Sequence, residues 1–359
     1  MLKQGAKFDF NGPPAPKEPT PYADIVVRSW ALRQPYMTPV KMRVEEITFK
    51  FKQDCKPQAL ILGRHWGANN DTDFNFLCIR SGADTDTKAW TFSAGQKFQR
   101  KTNFTPGGYL YQAKMLAGTM GVIALDDKIM ADSEARHHRY HVRPELAREF
   151  KAGDEIKVRM LAVARTFDEQ QGSSEWLQQL IADYGIGTGK PGYPYEILQG
   201  QVKEINYIFD LQAENGGAAV KIGKYPLVST LPLRVNGIRA NSVCGEYDLG
   251  TKRIRPLPVF EGSVTTSVQP SWAASHLYIG EWLTWDNDLA RISLVQDGEN
   301  FQLEAHNPTD KEITVTLTGA TGFAPLAKFA KTLTIGPHQS VNEAIASAAG
   351  SVKLEPLRY

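Results

Sequence analysis

Three of the seven histidines of this chain lie within five residues of one another, in the segment ARHHRYHVRPEL at 135–146. The segment carries four candidate acid–base groups: His137, His138, Tyr140 and His141. Imidazole and phenol groups move protons in many enzymes, and histidine does so near neutral pH. Because alternate side chains of a strand share a face, His137 and His141 are predicted to face one way and Tyr140 the other. The segment predicts a proton-transfer site, with an exposed basic strand as the alternative.

Arginines surround these histidines. The candidate anion-binding side chains are Arg136, Arg139 and Arg143. Guanidinium groups match the geometry of carboxylates, so the natural ligand of this segment is an acidic one. Imidazoles two or four residues apart on a strand can also bind zinc, but the neighbouring sequence offers no third and fourth ligand. Whether a metal ion takes part stays open at this stage.

A second segment, LGRHWGANNDTDFNF at 62–76, joins an aromatic ring to amides and carboxylates. His65 and Trp66 end an apolar run, and Asn69 opens the polar run NNDTD. An aromatic ring beside hydrogen-bonding groups commonly holds a sugar, which stacks on the ring while its hydroxyls are bound at the edge. Clustered oxygen ligands also suit calcium, so the predicted cofactor is none, or a divalent cation such as calcium. The alternative is a plain turn, because Asn and Asp are frequent turn residues.

Further candidate catalytic residues are supported by less specific sequence patterns. Glu246 and Asp248 are predicted to share a strand face, and paired carboxylates are what glycoside hydrolysis requires. Tyr109 and Tyr111 are further candidates to supply a phenol. The sequence contains no GxSxG elbow, HExxH pair, CxxC pair or phosphate-binding glycine loop. The histidine segment therefore remains the first candidate for a site.

The overall charge argues against partners that are recognised by charge alone. Lys and Arg total 41 and Asp and Glu total 39, which gives a formal net charge of +2. We therefore expect neither nucleic acid nor a membrane as a partner, and no run of about 18 apolar residues could cross a bilayer. The first residues lack the apolar run of a signal peptide. Localisation stays open: secreted or periplasmic if a signal peptide has been removed, and cytoplasmic otherwise.

These groups must be positioned mainly by short strands. From residue 24 onward, β-rich runs are separated by turn residues, and after residue 270 the strands alternate regularly. In EWLQQLIADYGIG, at 175–187, apolar residues instead fall at helical spacing and Gly185 can end the helix. The predicted fold class is all-β, with two β-sandwich (jelly-roll/Ig-like) domains and one short helix near 173–185.

One predicted strand, KMRVEEITFKF at 41–51, does not keep a simple alternation. Its apolar residues shift phase once, between Val44 and Ile47. A single shift of this kind predicts either a β-bulge or a misjudged register.

The predicted domains follow changes in composition along the chain. Residues 1–22 contain the proline-rich segment NGPPAPKEPTPY and are predicted to be a tether. Residues 23–265 are predicted to form a large β-sandwich region that includes the helix. Residues 266–359 are predicted to form an Ig-like β-sandwich.

The C-terminal part of the sequence carries a family resemblance. HLYIGEWLTWD at 276–286, followed by LEAHNPTDKEITVTLTGATGF at 303–323, resembles the C-terminal β-sandwich modules of bacterial polysaccharide-degrading enzymes, in which an HNPTD turn leads into an Ig-like strand. Residues 231–262 look like part of the preceding β-sandwich in such proteins. The resemblance implies a carbohydrate context and a layout of two sandwiches, and it includes no catalytic motif.

The combined prediction is a carbohydrate-active protein with lyase chemistry on an acidic, uronate-containing polysaccharide. In that reaction a cation neutralises the carboxylate, and a His or Tyr removes the acidified neighbouring proton and protonates the leaving oxygen. The predicted acid–base residues are His65, His137, His138, Tyr140 and His141. The predicted substrate-binding residues are Arg136, Arg139, Arg143, Trp66 and Asn69.

Two alternatives belong to other classes of protein. One is a noncatalytic carbohydrate-binding protein, whose predicted exposed stacking rings are Trp66, Trp272, Trp282 and Trp285. The other is a structural or assembly subunit, because a β-sandwich fold does not by itself specify a function.

Overall fold

The computed structural model divides the chain into two compact units, Met1–Thr188 and Gly189–Tyr359. The described residues are 22–31, 40–56, 64–67, 76–91, 99–114, 118–127, 129–134, 139–144, 149–165, 174–227, 229–297, 300–348 and 353–354. In several strands of the first unit, including those at 64–67, 130–134 and 139–144, only the backbone is described. Among the described residues, no helix is long and apolar enough to span a membrane.

The first unit contains eleven strands and one helix in its described part. The strands are β1 (Ala23–Ala31), β2 (Val40–Phe51), β3 (Arg64–Gly67), β4 (Phe76–Arg80), β5 (Lys88–Thr91), β6 (Gln99–Phe104), β7 (Tyr109–Lys114), β8 (Gly118–Ala124), β9 (Ile129–Glu134), β10 (Arg139–Pro144) and β11 (Glu155–Arg165). The helix is α1 (Glu175–Tyr184).

These strands form two antiparallel sheets. Sheet 1 has the strand order β1-β2-β11-β8-β7-β4-β5, and sheet 2 has the order β3-β10-β9-β6. Sheet 1 contributes Phe49 and Val158 to one buried cluster, and sheet 2 contributes Phe104 and Ile129 to the same cluster. Because both sheets supply side chains to one core, the first unit is a β-sandwich.

Strand β2 takes part in two cores, which explains the phase shift seen in its sequence. Its register with β1 and β11 is continuous, so the predicted β-bulge is absent. Met42 and Val44 are buried on one face of sheet 1, whereas Ile47 and Phe49 are buried on the other. The strand therefore passes from the helix side of sheet 1 to the side that packs on sheet 2.

Helix α1 covers the second face of sheet 1, and its sequence prediction is confirmed. Four side chains at helical spacing are buried: Leu177, Leu180, Ile181 and Tyr184. Gly185 ends the helix with a φ of 68°, a left-handed conformation that glycine adopts without a steric penalty. The indole of Trp176 contacts Tyr111 edge to face at 5.8 Å between ring centroids, which holds the helix on β7.

The second unit contains only strands among its described residues. They are β12 (Tyr195–Gln199), β13 (Gln201–Ile205), β14 (Phe209–Gln212), β15 (Gly217–Ile222), β16 (Leu231–Asn236), β17 (Ser242–Asp248), β18 (Arg253–Leu257), β19 (Ser263–Val268), β20 (Ser275–Trp285), β21 (Arg291–Asp297), β22 (Asn300–His306), β23 (Ile313–Gly319), β24 (Ala330–Ile335), β25 (Ser340–Ile345) and β26 (Lys353–Leu354).

The described strands of the second unit form three sheets. Sheet 3 has the order β12-β15-β20-β17-β18-β26, with β23 and β24 continuing from β20; sheet 4 is β13-β14-β16-β19 and sheet 5 is β21-β22-β25. A large apolar cluster joins sheets 3 and 5 through residues such as Leu283, Val315 and Phe301. Trp282 belongs to this cluster and stacks on Phe323 at 4.9 Å between ring centroids. The prediction that Trp282 is an exposed stacking ring is therefore wrong, because only 2% of it is exposed.

The all-β prediction with one short helix is confirmed, and both units are sandwich-like. The predicted domain ranges place a boundary at residue 265, whereas the chain divides into its two compact units between residues 188 and 189. Strand β20 pairs with β15 and β17, so one sheet contains strands from both sides of residue 265. The predicted tether lies outside the described residues except for Tyr22. The domain ranges and the Ig-like character of the C-terminal part stay predictions.

Candidate functional site

The backbone register of sheet 2 brings together the two segments that the sequence singled out separately. Strand β10 pairs with β3 so that His141 lies directly opposite His65, and Tyr140 lies directly opposite Trp66. Residues in such positions of an antiparallel ladder have Cβ atoms about 4.5–5.5 Å apart. Two of the predicted acid–base residues therefore occupy neighbouring positions, although they belong to different parts of the chain.

The same ladder continues across the other two strands of sheet 2. His141 pairs on its other side with Asp132 of β9, and Asp132 pairs with Lys101 of β6. The result is one cross-strand row of four chemically active residues: His65, His141, Asp132 and Lys101. We call these four residues the His65 row.

Two buried side chains show which face of sheet 2 carries the His65 row. Phe104 and Ile129 pair with each other and are buried in the core between sheets 1 and 2. Side chains alternate along each strand, so the positions of the His65 row lie on the face opposite to that core. Tyr140 and Trp66 occupy positions on the same face as Phe104. The prediction that Tyr140 and His141 face opposite ways agrees with the assignment of 139–144 as a strand, because neighbouring positions of a strand lie on opposite faces of the sheet.

Sequence reasoning did not select Asp132 or Lys101. Both lie in segments with ordinary strand composition, and only the register between strands shows that they share a row with the histidines. Arg139 and Arg143 fall on the face of the His65 row, at alternate positions of β10. The remaining predicted site residues, His137, His138, Arg136 and Asn69, lie outside the described residues, as does the whole NNDTD run that suggested calcium.

Two phenols that the sequence offered as further acid–base groups are buried. Tyr109 and Tyr111 are both 0% exposed, on the face of sheet 1 that α1 covers. The hydroxyl of Tyr109 lies 2.9 Å from Ser174 Oγ, and the hydroxyl of Tyr111 accepts a hydrogen bond from Trp176 Nε1 at 3.5 Å. Burial also raises the pKa of Tyr109. These tyrosines hold the helix on the sheet and are closed to a polymer.

The carboxylate pair that suggested glycoside hydrolysis has structural partners. Glu246 is buried, and its Oε2 accepts hydrogen bonds from Arg255 Nη2 and Thr266 Oγ1. Asp248 Oδ1 accepts hydrogen bonds from the backbone N–H groups of Gly250 and Thr251, each at 2.9 Å. The first carboxylate therefore joins β17 to β18 and β19, and the second closes the turn after β17.

A groove of about 800 Å³ lies in the second unit, where the turn before β15 meets β20 and β23. Its base contains Glu281, which is fully buried, and Arg239, whose side chain is 63% exposed. Glu281 Oε1 accepts hydrogen bonds from the backbone N of Arg239 at 2.8 Å and from its Nε at 3.0 Å, and Oε2 accepts one from Nη2 at 2.5 Å. These hydrogen bonds raise the pKa of the guanidinium.

The turn above this ion pair fits closely. Gly216 has a φ of +85°, and a Cβ atom built there would lie 2.4 Å from Glu281 Oε2. The backbone N–H of Glu281 donates to the Gly216 carbonyl at 2.9 Å. A side chain at residue 216 would therefore be strained in its backbone conformation and would displace the carboxylate, so glycine suits this turn. In the part of the chain that the structure describes, no group of three or more His, Cys, Asp or Glu side chains is placed to hold a metal ion.

Comparisons of the chain with known proteins do not identify a family or a function. No protein-family model matches the chain, and no curated protein matches it. Among solved structures, the chain is similar to one described as a polysaccharide lyase, with 7% sequence identity and a TM-score of 0.23. The match covers 82% of this chain and 34% of that structure, so this chain spans about a third of its length. At that score the similarity carries no argument about fold or chemistry.

Proposed function

We propose that the protein acts on an acidic polysaccharide as a lyase, at the face of sheet 2 that carries the His65 row. The observation that supports this proposal is the register of β3 with β10, which pairs His65 with His141. A lyase needs one group to remove a proton and one to deliver a proton within the length of a sugar ring. Two imidazoles at adjacent ladder positions meet that requirement.

The proposed reaction is a β-elimination. A base removes the proton from the carbon that bears the carboxylate, and the electron pair of that C–H bond forms a C=C bond with the next ring carbon. The C–O bond to the leaving sugar breaks at the same time, and the leaving oxygen takes a proton from an acid. His65 and His141 are assigned as these two groups, one as the base and the other as the acid.

Charged residues beside the histidines suit the rest of the reaction. Removing a proton next to a carboxylate builds negative charge, which a cation must stabilise. Lys101 in the His65 row and Arg139 in the neighbouring positions of β10 supply cations on the same face. Asp132 is paired with His141, and a carboxylate beside an imidazole can orient the ring and stabilise its protonated form.

Digestion of acidic glycans by the full chain tests the proposal. Polyuronates and uronate-containing glycosaminoglycans are incubated with the protein, and ultraviolet absorption by the new conjugated C=C bond is followed. Activity is expected on at least one polymer, and His141→Gln or His65→Gln is expected to lower kcat/KM by about 10²–10⁴-fold. His338→Gln, an exposed histidine of the second unit, is the matched control and should keep full activity.

The alternative from the sequence, glycan binding without cleavage, gives a different result. It predicts retention of acidic polymers on the protein with no unsaturated product. That outcome would overturn the lyase proposal, and so would activity that is unchanged in both histidine variants. Circular dichroism of each variant separates loss of chemistry from loss of fold.

A further inference from the structure

We propose that the groove in the second unit is a binding site for a neutral sugar chain. This inference does not rest on the lyase proposal, because it concerns other residues in the other unit. The groove has a volume of about 800 Å³, within the range of pockets that bind small ligands. Its lining combines one indole with one side-chain amide and four threonines.

Trp285 lines the groove and also packs against the apolar cluster of the second unit. Its ring is therefore held firmly, which lowers the entropy cost of stacking a ligand on it. Sugar rings present a C–H face that stacks on aromatic rings, so a partly buried indole in the lining is a suitable platform for a sugar.

The polar lining supplies both donors and acceptors. Asn215 is exposed, and the threonines that line the groove are Thr284, Thr316, Thr318 and Thr321. Thr284 Oγ1 donates a hydrogen bond to the carbonyl of Thr318 at 3.2 Å, so this hydroxyl can offer a ligand only an acceptor. Thr284 and Thr318 lie directly opposite each other on β20 and β23. Arg239 contacts Glu281 through its backbone N, Nε and Nη2, so the N–H groups of Nη1 are left for a ligand. Sugar hydroxyls donate and accept at once, and they match a mixed lining of this kind.

The charges of the groove select against acidic sugars. The ionisable groups of the lining are Arg239, Glu281 and Asp286. Glu281 neutralises the guanidinium through direct contact. Asp286 accepts a hydrogen bond from the backbone N of Thr316 at 2.7 Å, and this bond lowers its pKa, so the carboxylate is ionised at neutral pH. The lining therefore carries one uncompensated negative charge, which repels a uronate or a sulfate and leaves a neutral sugar as the ligand class.

Calorimetric titration of the full chain tests this inference. The probes are neutral hexasaccharides of β-1,4-linked glucose, mannose and xylose and of α-1,4-linked glucose, with a uronate hexasaccharide as the acidic counterpart. At least one neutral probe is expected to bind, and a tenfold excess of the acidic counterpart is expected not to displace it, because the acidic sugar is excluded from the groove wherever else on the chain it binds. These neutral probes lack the carboxylate that a lyase needs, so their binding and the lyase activity succeed or fail separately.

Two variants connect binding to the groove. Asn215 has a φ of 49°, so Asn215→Gly removes the amide at a position where glycine is favoured, and it should weaken binding by about fivefold to tenfold. Trp285→Phe replaces the indole with a smaller ring and reduces the area for stacking, and it should weaken binding by a similar factor. The matched controls are His338→Gly, which also has a positive φ of 56°, and Trp272→Phe at an exposed ring, both outside the groove.

The titrations of the variants give results that either support or overturn a sugar site in the groove. Neutral binding that is weakened about fivefold to tenfold in Asn215→Gly and kept in both controls supports the inference. Absence of binding by all four neutral probes, displacement of a bound neutral probe by the acidic one, or neutral binding that is unchanged in Asn215→Gly would overturn it. Because Asn215→Gly carries little risk to folding, the decision does not depend on the tryptophan variant.

Discussion

The ion pair at the base of the groove predicts an unequal response to the loss of either partner. Arg239→Met should destabilise the second unit more than Glu281→Gln. The side chain of Glu281 is 0% exposed, whereas that of Arg239 is 63% exposed. Loss of the guanidinium leaves a charge that water does not reach, while loss of the carboxylate charge leaves a guanidinium that water solvates.

The magnitude follows from the contacts that remain. Removing one partner of a buried ion pair costs about 3–5 kcal/mol when the other charge stays buried. In Arg239→Met, the backbone N of residue 239 still donates to Glu281 Oε1, so we expect a loss near the lower end, about 3 kcal/mol. In Glu281→Gln, the amide oxygen remains an acceptor, and we expect a loss of about 1–2 kcal/mol, that of one charge-assisted hydrogen bond.

Urea unfolding measures the difference, with tryptophan fluorescence as the probe and hydrogen exchange of the β20 amides as the local readout. A loss of about 3 kcal/mol lowers the unfolding midpoint by about 1–2 M urea. The matched control is Lys221→Met, which removes the cation of an exposed pair, Lys221 and Glu196 at 3.1 Å, and should cost less than about 1 kcal/mol. Equal losses in Arg239→Met and Glu281→Gln, or the reverse order, would refute the argument from burial.

Two other buried groups of the protein give further predictions. Thiol labelling of the native protein at pH 9 should modify Cys55 and spare Cys78 and Cys244, as read by mass spectrometry. Both protected thiols are buried, whereas Cys55 is partly exposed. Burial also raises the pKa of Cys244 to about 12 and raises that of Cys78, which disfavours the reactive thiolate at both positions. Tyr109→Phe should cost about 1–3 kcal/mol in urea unfolding, because it removes a fully buried hydroxyl that lies 2.9 Å from Ser174 Oγ.

Each of these predictions has a control in the same chain. Labelling in denaturant should reach all three cysteines, and rapid native labelling of Cys244 would show that its thiol is not shielded. Tyr195 is 40% exposed, so Tyr195→Phe should change the free energy of unfolding by less than about 0.5 kcal/mol. If both tyrosine variants lost the same amount, the buried hydroxyl of Tyr109 would not be the cause.

Local patterns predicted the elements of the fold because those patterns depend only on near neighbours. The helix at 175–184 was predicted from apolar spacing and from Gly185, and both features act within a few residues. The contribution of β2 to two cores could not be predicted in the same way, because it depends on elements that are distant in the sequence. Val44 and Ile47 are buried on opposite faces because α1 covers one and sheet 2 covers the other, and neither partner is evident from the strand itself.

The same distinction applies to the candidate sites. Alternation along one strand predicted that His141 and Tyr140 lie on opposite faces, since that is a property of a single strand. The pairing of His65 with His141, and of His141 with Asp132, depends on register between strands that are distant in sequence. The groove is harder still to predict from the sequence. Arg239 lies in a loop and Glu281 in a strand, and the two come into contact only when that loop folds over the sheet.

The HNPTD segment shows why a recognisable motif need not mark a site. Asn307 is 0% exposed, and its Nδ2 donates hydrogen bonds to the carbonyls of Lys311 and Ile335 at 2.7 and 2.9 Å. Its Oδ1 accepts hydrogen bonds from the backbone N and the hydroxyl of Thr309 at 2.9 and 2.8 Å. The amide thus meets the hydrogen-bonding needs of a turn that joins β22 to β23. The residues of this segment stabilise a turn between two strands, so their recognisable pattern reflects a structural role and is not in itself evidence for a site.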